Sequence, residues 1–447
     1  MRLYDISYCY PFKNFIRKLR VFMKLVQAQI FIRHGARTPL HHILLKNVPE
    51  AQWTPDYVRD HERVCVDIET NDLTSLNPIP TQHYEDLTNR QKLPGGSIIG
   101  MLTYMGQQQL LDLGKLLRDT YGDKLFSTLD PNSLYCRSTG FARTVRSAQS
   151  CLTTLFNEDK LLIKNCRIFV QHPGQDFLAL TLDNNKHFCS LHEAGIKSCN
   201  EDYPEITELK CKIKQILGMK KIVDEVRARN PFYDEPVYVV RDDFVARKFH
   251  GFQTPSQLDE ISEEIDRIST LELNIEYTGP KKFWQKNIAY PTGPIIHEIL
   301  FNMQNYNKLK RFRLYFAHDS TLMPLLLSLN AKEGVWPPYA AYITLELYST
   351  DDNETFDITS KGYIGPIDSQ YEKIKGNWSQ KSIEEMWFKI KFMEEELSLE
   401  QVMGNSCHKS DKKLYPLKKL IEIWEPIAKS KQEYIDMIPE GMDSGYV

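Results

Sequence analysis

The 447-residue chain has no apolar run near the roughly 18 residues that a membrane-spanning helix needs. The longest candidates, such as Leu322–Leu327, are core-sized, so no membrane span is expected. An excess of one charge sign is also lacking. Lys and Arg number 56 and Asp and Glu 59, a formal net charge of −3. Without a broad basic field, nucleic acid is not expected as a partner. The nine cysteines (9, 65, 136, 151, 166, 189, 199, 211 and 407) include no tight C-x-x-C pair, which argues against a zinc knuckle or thioredoxin-type site. Cys189 and Cys199 could close one loop in an oxidising compartment, but buried free thiols are the favoured reading. His41, His42, His61 and His83 form no spaced ligand set, so no metal and no cofactor are expected. Internal repeats and low-complexity linkers are missing too.

What is present is ordinary for a globular protein: 42% hydrophobic and 26% charged residues, in a chain long enough for two or three domain-sized units. Residues 1–24 form a basic extension, with Arg2, Lys13, Arg17, Lys18, Arg20 and Lys24 against the single acid Asp5. A basic, acid-poor start has the character of an organellar import segment, although Ser7 is its only serine. It lacks the continuous apolar core of a secretory signal, and a solvated, partly helical arm is the alternative.

Three short apolar runs stop abruptly at polar clusters. Leu25–Ile32 leads into Arg33-His34-Gly35-Ala36-Arg37-Thr38-Pro39, Ser133–Cys136 into Arg137-Ser138-Thr139, and Leu314–Ala317 into His318-Asp319. Runs of this length read as buried strands. Helical spacing follows each one. Leucines 102, 110, 113 and 117 recur ahead of Tyr121, with Thr103 placed to cap. Phe141, Val145, Ala148 and Leu152 share one face, and Ser320 can cap a helix carrying Pro324 and Leu325–Leu327. Alternating strands and helices predict an α/β fold, a doubly wound and mostly parallel sheet with a helical cap insertion. The catalytic domain is expected over 25–155 and 306–447, and the cap over 156–305. In such sheets ligands sit beyond the carboxyl ends of the strands. The three clusters therefore converge on one rim.

Arginines around a histidine at a strand end make an anion site with a nucleophile inside it. Guanidinium forks match phosphate oxygens, and neighbouring positive charge disfavours the imidazolium, so His34 keeps a lone pair in mild acid. His34 is the expected nucleophile and Asp319 the proton donor. Arg33, Arg37, Arg137 and His318 are expected to bind phosphate, with no metal needed. For Arg137 a purely structural ion pair is the alternative. Gly35 is read as making room for phosphate beside the backbone.

The run Arg33–Pro39 resembles the signature of the histidine acid phosphatases. His318-Asp319 is similar to their distal proton-donor pair, and Arg137-Ser138-Thr139 with Arg143-Thr144 to their middle arginine segment. The resemblance implies an acid phosphatase working through a phosphohistidine. Gly100-x-Leu102-Thr103 is similar to several branches of that family, whereas Ala317-His318-Asp319-x-Thr321, Trp336-Pro337-Pro338 and Glu346-Leu347-Tyr348 look most like a branch that dephosphorylates lysophosphatidic acid to monoacylglycerol. That likeness implies a monomer acting on a small-molecule phosphomonoester, a lysophospholipid, in the mitochondrion. A cytoplasmic or secretory and lysosomal setting is the alternative. Phe244, Phe249, Phe252, Phe283 and Trp284 could line an acyl channel, although aromatics at such spacing more often form core. The competing functions are a general acid phosphatase, a phytase or a sugar-phosphate phosphatase of the same mechanism, and an inactive phosphate- or lipid-binding module.

Overall fold

The computed structural model describes residues 23–178, 201–225, 234–279, 287–350 and 383–436, apart from 46, 82, 83, 86, 126–129, 308, 332–334, 409 and 410; it also describes 195, 197 and 199. The basic extension (but for Met23 and Lys24), His83, Cys189 and the aromatics Phe283 and Trp284 lie outside the described residues.

A nine-stranded sheet organises the chain, in the order β2-β4-β3-β5-β1-β6-β7-β8 with β9 paired to β7. Strands β1 (Lys24–Arg33), β2 (Glu69–Asp72), β3 (Leu134–Thr139), β4 (Arg167–Gln171) and β5 (Phe312–Ala317) are parallel neighbours. From β6 (Tyr342–Ser349) through β7 (Met386–Phe392), β8 (Glu395–Glu396) and β9 (Tyr415–Pro416) the pairing is antiparallel. The α/β architecture holds, with an antiparallel wing beyond its parallel centre. Of these, β7 and β8 are joined by a tight turn at residues 393 and 394, as antiparallel neighbours can be.

Both faces of the sheet are covered. Ala28, Ile30 and Ile32 of β1 pack with Leu110, Leu113, Val145, Ala148 and Leu152 from helices α1 (Tyr104–Leu125) and α2 (Ala142–Leu155). Phe31 faces the other way, toward Ile295 and Ile299 further along the chain. Gln29 on that side bonds the carbonyl of Ile299, so its buried amide is satisfied.

Over the carboxyl rim stands a helical layer: α3 (Pro204–Leu217), α4 (Val237–Phe249) and α5 (Ser262–Thr278). It has an apolar core of its own, including Ile206, Ile213, Val240, Phe244, Leu258, Ile265 and Ile268. The span 156–305 is more than a cap, however. It also holds β4, whose alternating Ile168 and Val170 bury against the sheet's helices, and α6 (Ala289–Gln304), which packs on the opposite face. The last described helices of the sheet layers are α7 (Asp319–Leu327) and α8 (Leu417–Trp424).

Candidate active site

β1 ends on Arg33, and the chain then turns beneath the start of α1. A Cβ on Gly35 would stand 2.3 Å from the Gly106 carbonyl oxygen and 2.7 Å from Leu110 Cδ2. Gly35 is therefore required by the approach of α1; its bareness is spent on helix packing rather than on making room for phosphate. Thr103 caps α1, accepting from Gly106 N at 3.2 Å and donating to Ala36 O at 3.0 Å, so the cap also holds the turn.

This turn presents His34, 2% exposed. Its Nδ1 lies 2.8 Å from Gly35 O. A carbonyl can only accept, so Nδ1 carries the proton and Nε2 keeps the lone pair. Burial, Arg143, Arg33 and Arg37 together push the imidazole well below its ordinary value of 6.5. His34 stays neutral in mild acid, as the sequence led one to expect.

Arg37 pairs with Asp242 of α4 at 2.7 Å. Burial works against its charge, but Asp242 and its hydrogen bond raise it overall. Arg33 pairs with Asp319 at 2.7 Å, donates to Pro337 O at 2.6 Å and lies 4.6 Å from the centre of the Tyr339 ring. His318 stands across the site, its ring centre 5.6 Å from that of His34. Its Nδ1 faces Arg143 Nη2 at 3.4 Å and its Nε2 meets Thr139 Oγ1 at 3.0 Å. Guanidinium donates only, so His318 is protonated on Nε2, the tautomer opposite to that of His34.

Arg137 departs from the expectation. β3 runs on to Thr139, so Arg137 sits inside the strand rather than at its tip, and the pleat points it at one face. There it is 4% exposed and pairs with Asp176 and Glu298, each at 2.8 Å. It is a buried structural ion pair and lines no part of the cavity. The residue that takes its place is Arg143, six positions on, in the first turn of α2. Burial, with Arg37 and Arg90, pushes it down to about 9 despite Glu85. Its pairing with Thr144 in the middle arginine segment was the available signal.

Arg33, Arg37 and Arg143 each keep a buried Nε with no hydrogen-bond partner among the described residues. Arg37 and Arg143 line the cavity beside the neutral imidazole, a donor arrangement suited to an anion.

Asp319 opens α7 with His318 as N-cap, so the cap falls two residues before the expected Ser320. Its Oδ2 accepts from Arg33 and, at 2.9 Å, from Trp336 Nε1; its Oδ1 accepts from Ser320 N at 2.9 Å. Burial pushes this carboxyl up, yet Arg33, Arg37 and His318 overcome it and hold it far below the carboxylate range. These neighbours hold Asp319 as the carboxylate.

A cavity of about 210 Å³ is lined by the polar groups His34, Arg37, His41, Arg143, Asp242, His318, Asp319 and Ser320 and by Leu40, Phe141, Tyr238, Leu273, Tyr277 and Trp336. Of the aromatics singled out in the sequence, the three described ones lie elsewhere. Phe244 is in the cap core, Phe252 packs on Trp53, and Phe249 meets the Tyr339 ring edge-on. Among the described residues no cluster of His, Cys, Asp and Glu could hold a metal, and no helix is long and apolar enough to cross a membrane.

Residues 24–360 match the histidine phosphatase superfamily (branch 2), and the chain belongs to that family. It is a phosphoric monoester hydrolase of the acid phosphatase type. Lysophosphatidic acid phosphatase type 6 from Mus musculus is 26% identical over 347 residues, 75% of this chain and 78% of that protein. The Homo sapiens protein of the same name is 26% identical over 344 residues, 74% of this chain and 75% of that one. Among solved structures, the phytase from Citrobacter braakii shares the fold, with a TM-score of 0.52 at 12% identity over 91% of this chain and 98% of that one.

Proposed function

We propose that the chain hydrolyses lysophosphatidic acid to monoacylglycerol and phosphate through a phosphohistidine on His34. The observation that carries the chemistry is the His34 tautomer, with Nδ1 bonded to Gly35 O and a free Nε2 pair beside Arg143 and Arg37. The lone pair forms the P–N bond as the ester P–O bond breaks, and the departing oxygen takes a proton from Asp319. Water, deprotonated by the Asp319 carboxylate, then cleaves P–N and releases phosphate. The guanidinium groups balance charge on the transferring phosphoryl group. A substrate monoanion brings negative charge that offsets the arginines, together with the proton that the Asp319 carboxylate lacks. Mild acid, which populates that monoanion, favours turnover.

The choice of a lysolipid is supported by the aromatic and aliphatic part of the lining, Leu40, Phe141, Tyr238, Leu273, Tyr277 and Trp336, and by Asp242, which stands beside Arg37. A polyphosphorylated ring would meet a carboxylate there, whereas a single phosphate with an apolar tail meets compatible surface. The name borne by the mouse and human relatives agrees. Phosphate release at pH 4–7 with EDTA, from p-nitrophenyl phosphate, lysophosphatidic acid and phytate, tests this in wild type and His34→Ala. Turnover that needs His34 and prefers the lysolipid supports it. A preference for phytate overturns the substrate, and His34→Ala retaining activity overturns the mechanism.

We further propose a monomer, on the family resemblance alone, with a mitochondrial address that rests on the six basic residues within 1–24. Dimer sedimentation of the full chain would overturn the first. A 1–24 fusion to a fluorescent protein that stays cytosolic would overturn the second.

A further inference from the structure

The proton donor is held by an atom from outside the phosphate-binding set. Trp336 Nε1 donates to Asp319 Oδ2 at 2.9 Å, and Arg33 Nη2 reaches the same oxygen at 2.7 Å. A carboxyl oxygen that already accepts two such donors has no lone pair left for a proton. Oδ1 accepts only the Ser320 amide among the described residues, at 2.9 Å.

Trp336 is itself held by the cap. The Arg241 guanidinium of α4 lies 4.3 Å from the centre of the indole ring, and Arg241 Nε bonds Asp266 of α5 at 2.5 Å. Cap helices, indole and acid thus form one chain of contacts. On the far side, Pro337 O and the Tyr339 ring fix Arg33, so the segment 336–339 grips both partners of the ion pair.

We infer that Trp336 is a positioning residue for the proton donor. Its N–H occupies Oδ2 and directs the transferable proton of Asp319 to Oδ1, and the cap sets its place. The inference rests on Asp319 acting as the acid in the reading above. In the step concerned, the O–H bond at Oδ1 breaks and a new O–H bond forms on the leaving oxygen. That oxygen keeps the electron pair of its broken P–O bond. The charged and titratable groups facing Asp319 are Arg33 and Arg37 after β1, Arg143 on α2, its neighbour His318, and Tyr277 on α5.

Trp336→Phe keeps an aromatic face for Arg241 and removes the N–H, together with the rest of the five-membered ring. With the full chain, kcat is measured for an alkyl phosphate (lysophosphatidic acid) and an aryl phosphate (p-nitrophenyl phosphate). The alkoxide needs the proton and the nitrophenolate does not. The expected result is a loss of about tenfold for the alkyl ester and under about threefold for the aryl ester, with KM little changed. Because the N–H favours the ionised carboxyl, its removal also moves the alkaline limb of the kcat profile to higher pH. In an Asp319→Asn background the same substitution should add no further leaving-group dependence. Equal losses for both esters, or a further effect in that background, would mark Trp336 as merely structural and overturn the inference. If Asp319→Asn shows no leaving-group dependence, the assignment of the acid fails and this inference with it. If Asp319→Asn shows that dependence and Trp336→Phe does not, only this inference falls.

Discussion

Two buried histidines beside the same arginines differ in the job their hydrogen bonds allow. His34 gives its Nδ1 proton to Gly35 O and exposes a lone pair at Nε2. His318 gives its Nε2 proton to Thr139 and turns Nδ1 toward Arg143. Only the first has an unshared electron pair on a nitrogen beside Arg37 and Arg143, which is why His34→Ala should abolish turnover. Two arginines likewise separate by environment. Arg143→Ala removes an unsatisfied donor from the cavity, so the inhibition constant for inorganic phosphate should rise about 10- to 100-fold while folding is preserved. Arg137→Ala instead strands Asp176 and Glu298 in the interior. A loss of about 3–5 kcal/mol in urea unfolding is expected, with phosphate inhibition unchanged in the protein that remains folded. Similar phosphate inhibition constants for the two variants would contradict this division.

At the scale of elements, the site depends on where strands stop and helices start. β1 and β5 end on Arg33 and Ala317, as the apolar runs indicated, so His34 and His318-Asp319 emerge at the rim. β3 continues three residues past its apolar run, because Arg137, Ser138 and Thr139 still pair with β4 and the first two with β5 as well. That extension moves the functional arginine from the strand to the first turn of α2. Asp319 at the first position of α7 gains a second benefit, since a helix start favours a carboxylate. The contact between the β1 turn and α1 is tight enough to test. In Gly35→Ala the new methyl meets backbone at Gly106, which cannot rotate away. A destabilisation of about 1–3 kcal/mol by calorimetry is expected, with kcat falling as the His34 turn is pushed off α1. Unchanged stability would mean that α1 yields easily.

For the molecule as a whole, burying neutral imidazoles makes stability depend on pH. Both His34 and His318 are pushed well below 6.5, first by burial and then by Arg143. The unfolded chain takes up protons below about pH 6.5 where the folded chain does not, so stability falls as pH drops from there. Asp319 acts in the same direction but lower down. Its depressed carboxyl contributes stability that is present above about pH 4 and lost as pH falls further. The urea midpoint should therefore drop between pH 7.5 and 5, and the drop should shrink in His318→Asn. A midpoint flat over that range, or an equal drop in the variant, would show that these histidines do not govern it.

The sequence by itself determined the strand–turn clusters, the α/β class, and the placing of His34, Asp319, Arg33 and Arg37 together at the rim. These follow from local rules: apolar runs become strands, polar residues at their ends reach the rim, and charge around an imidazole keeps it neutral. Tertiary structure decided everything that depends on facing direction and distance. Which middle arginine reaches the site depends on how far β3 pairs, and which aromatics line the cavity depends on how α4 and α5 rotate over the rim. That Gly35 serves α1, and that Trp336 touches Asp319, depends on approaches between segments far apart in the chain. Periodicity records which residues are buried, but the neighbour each one meets is set by packing.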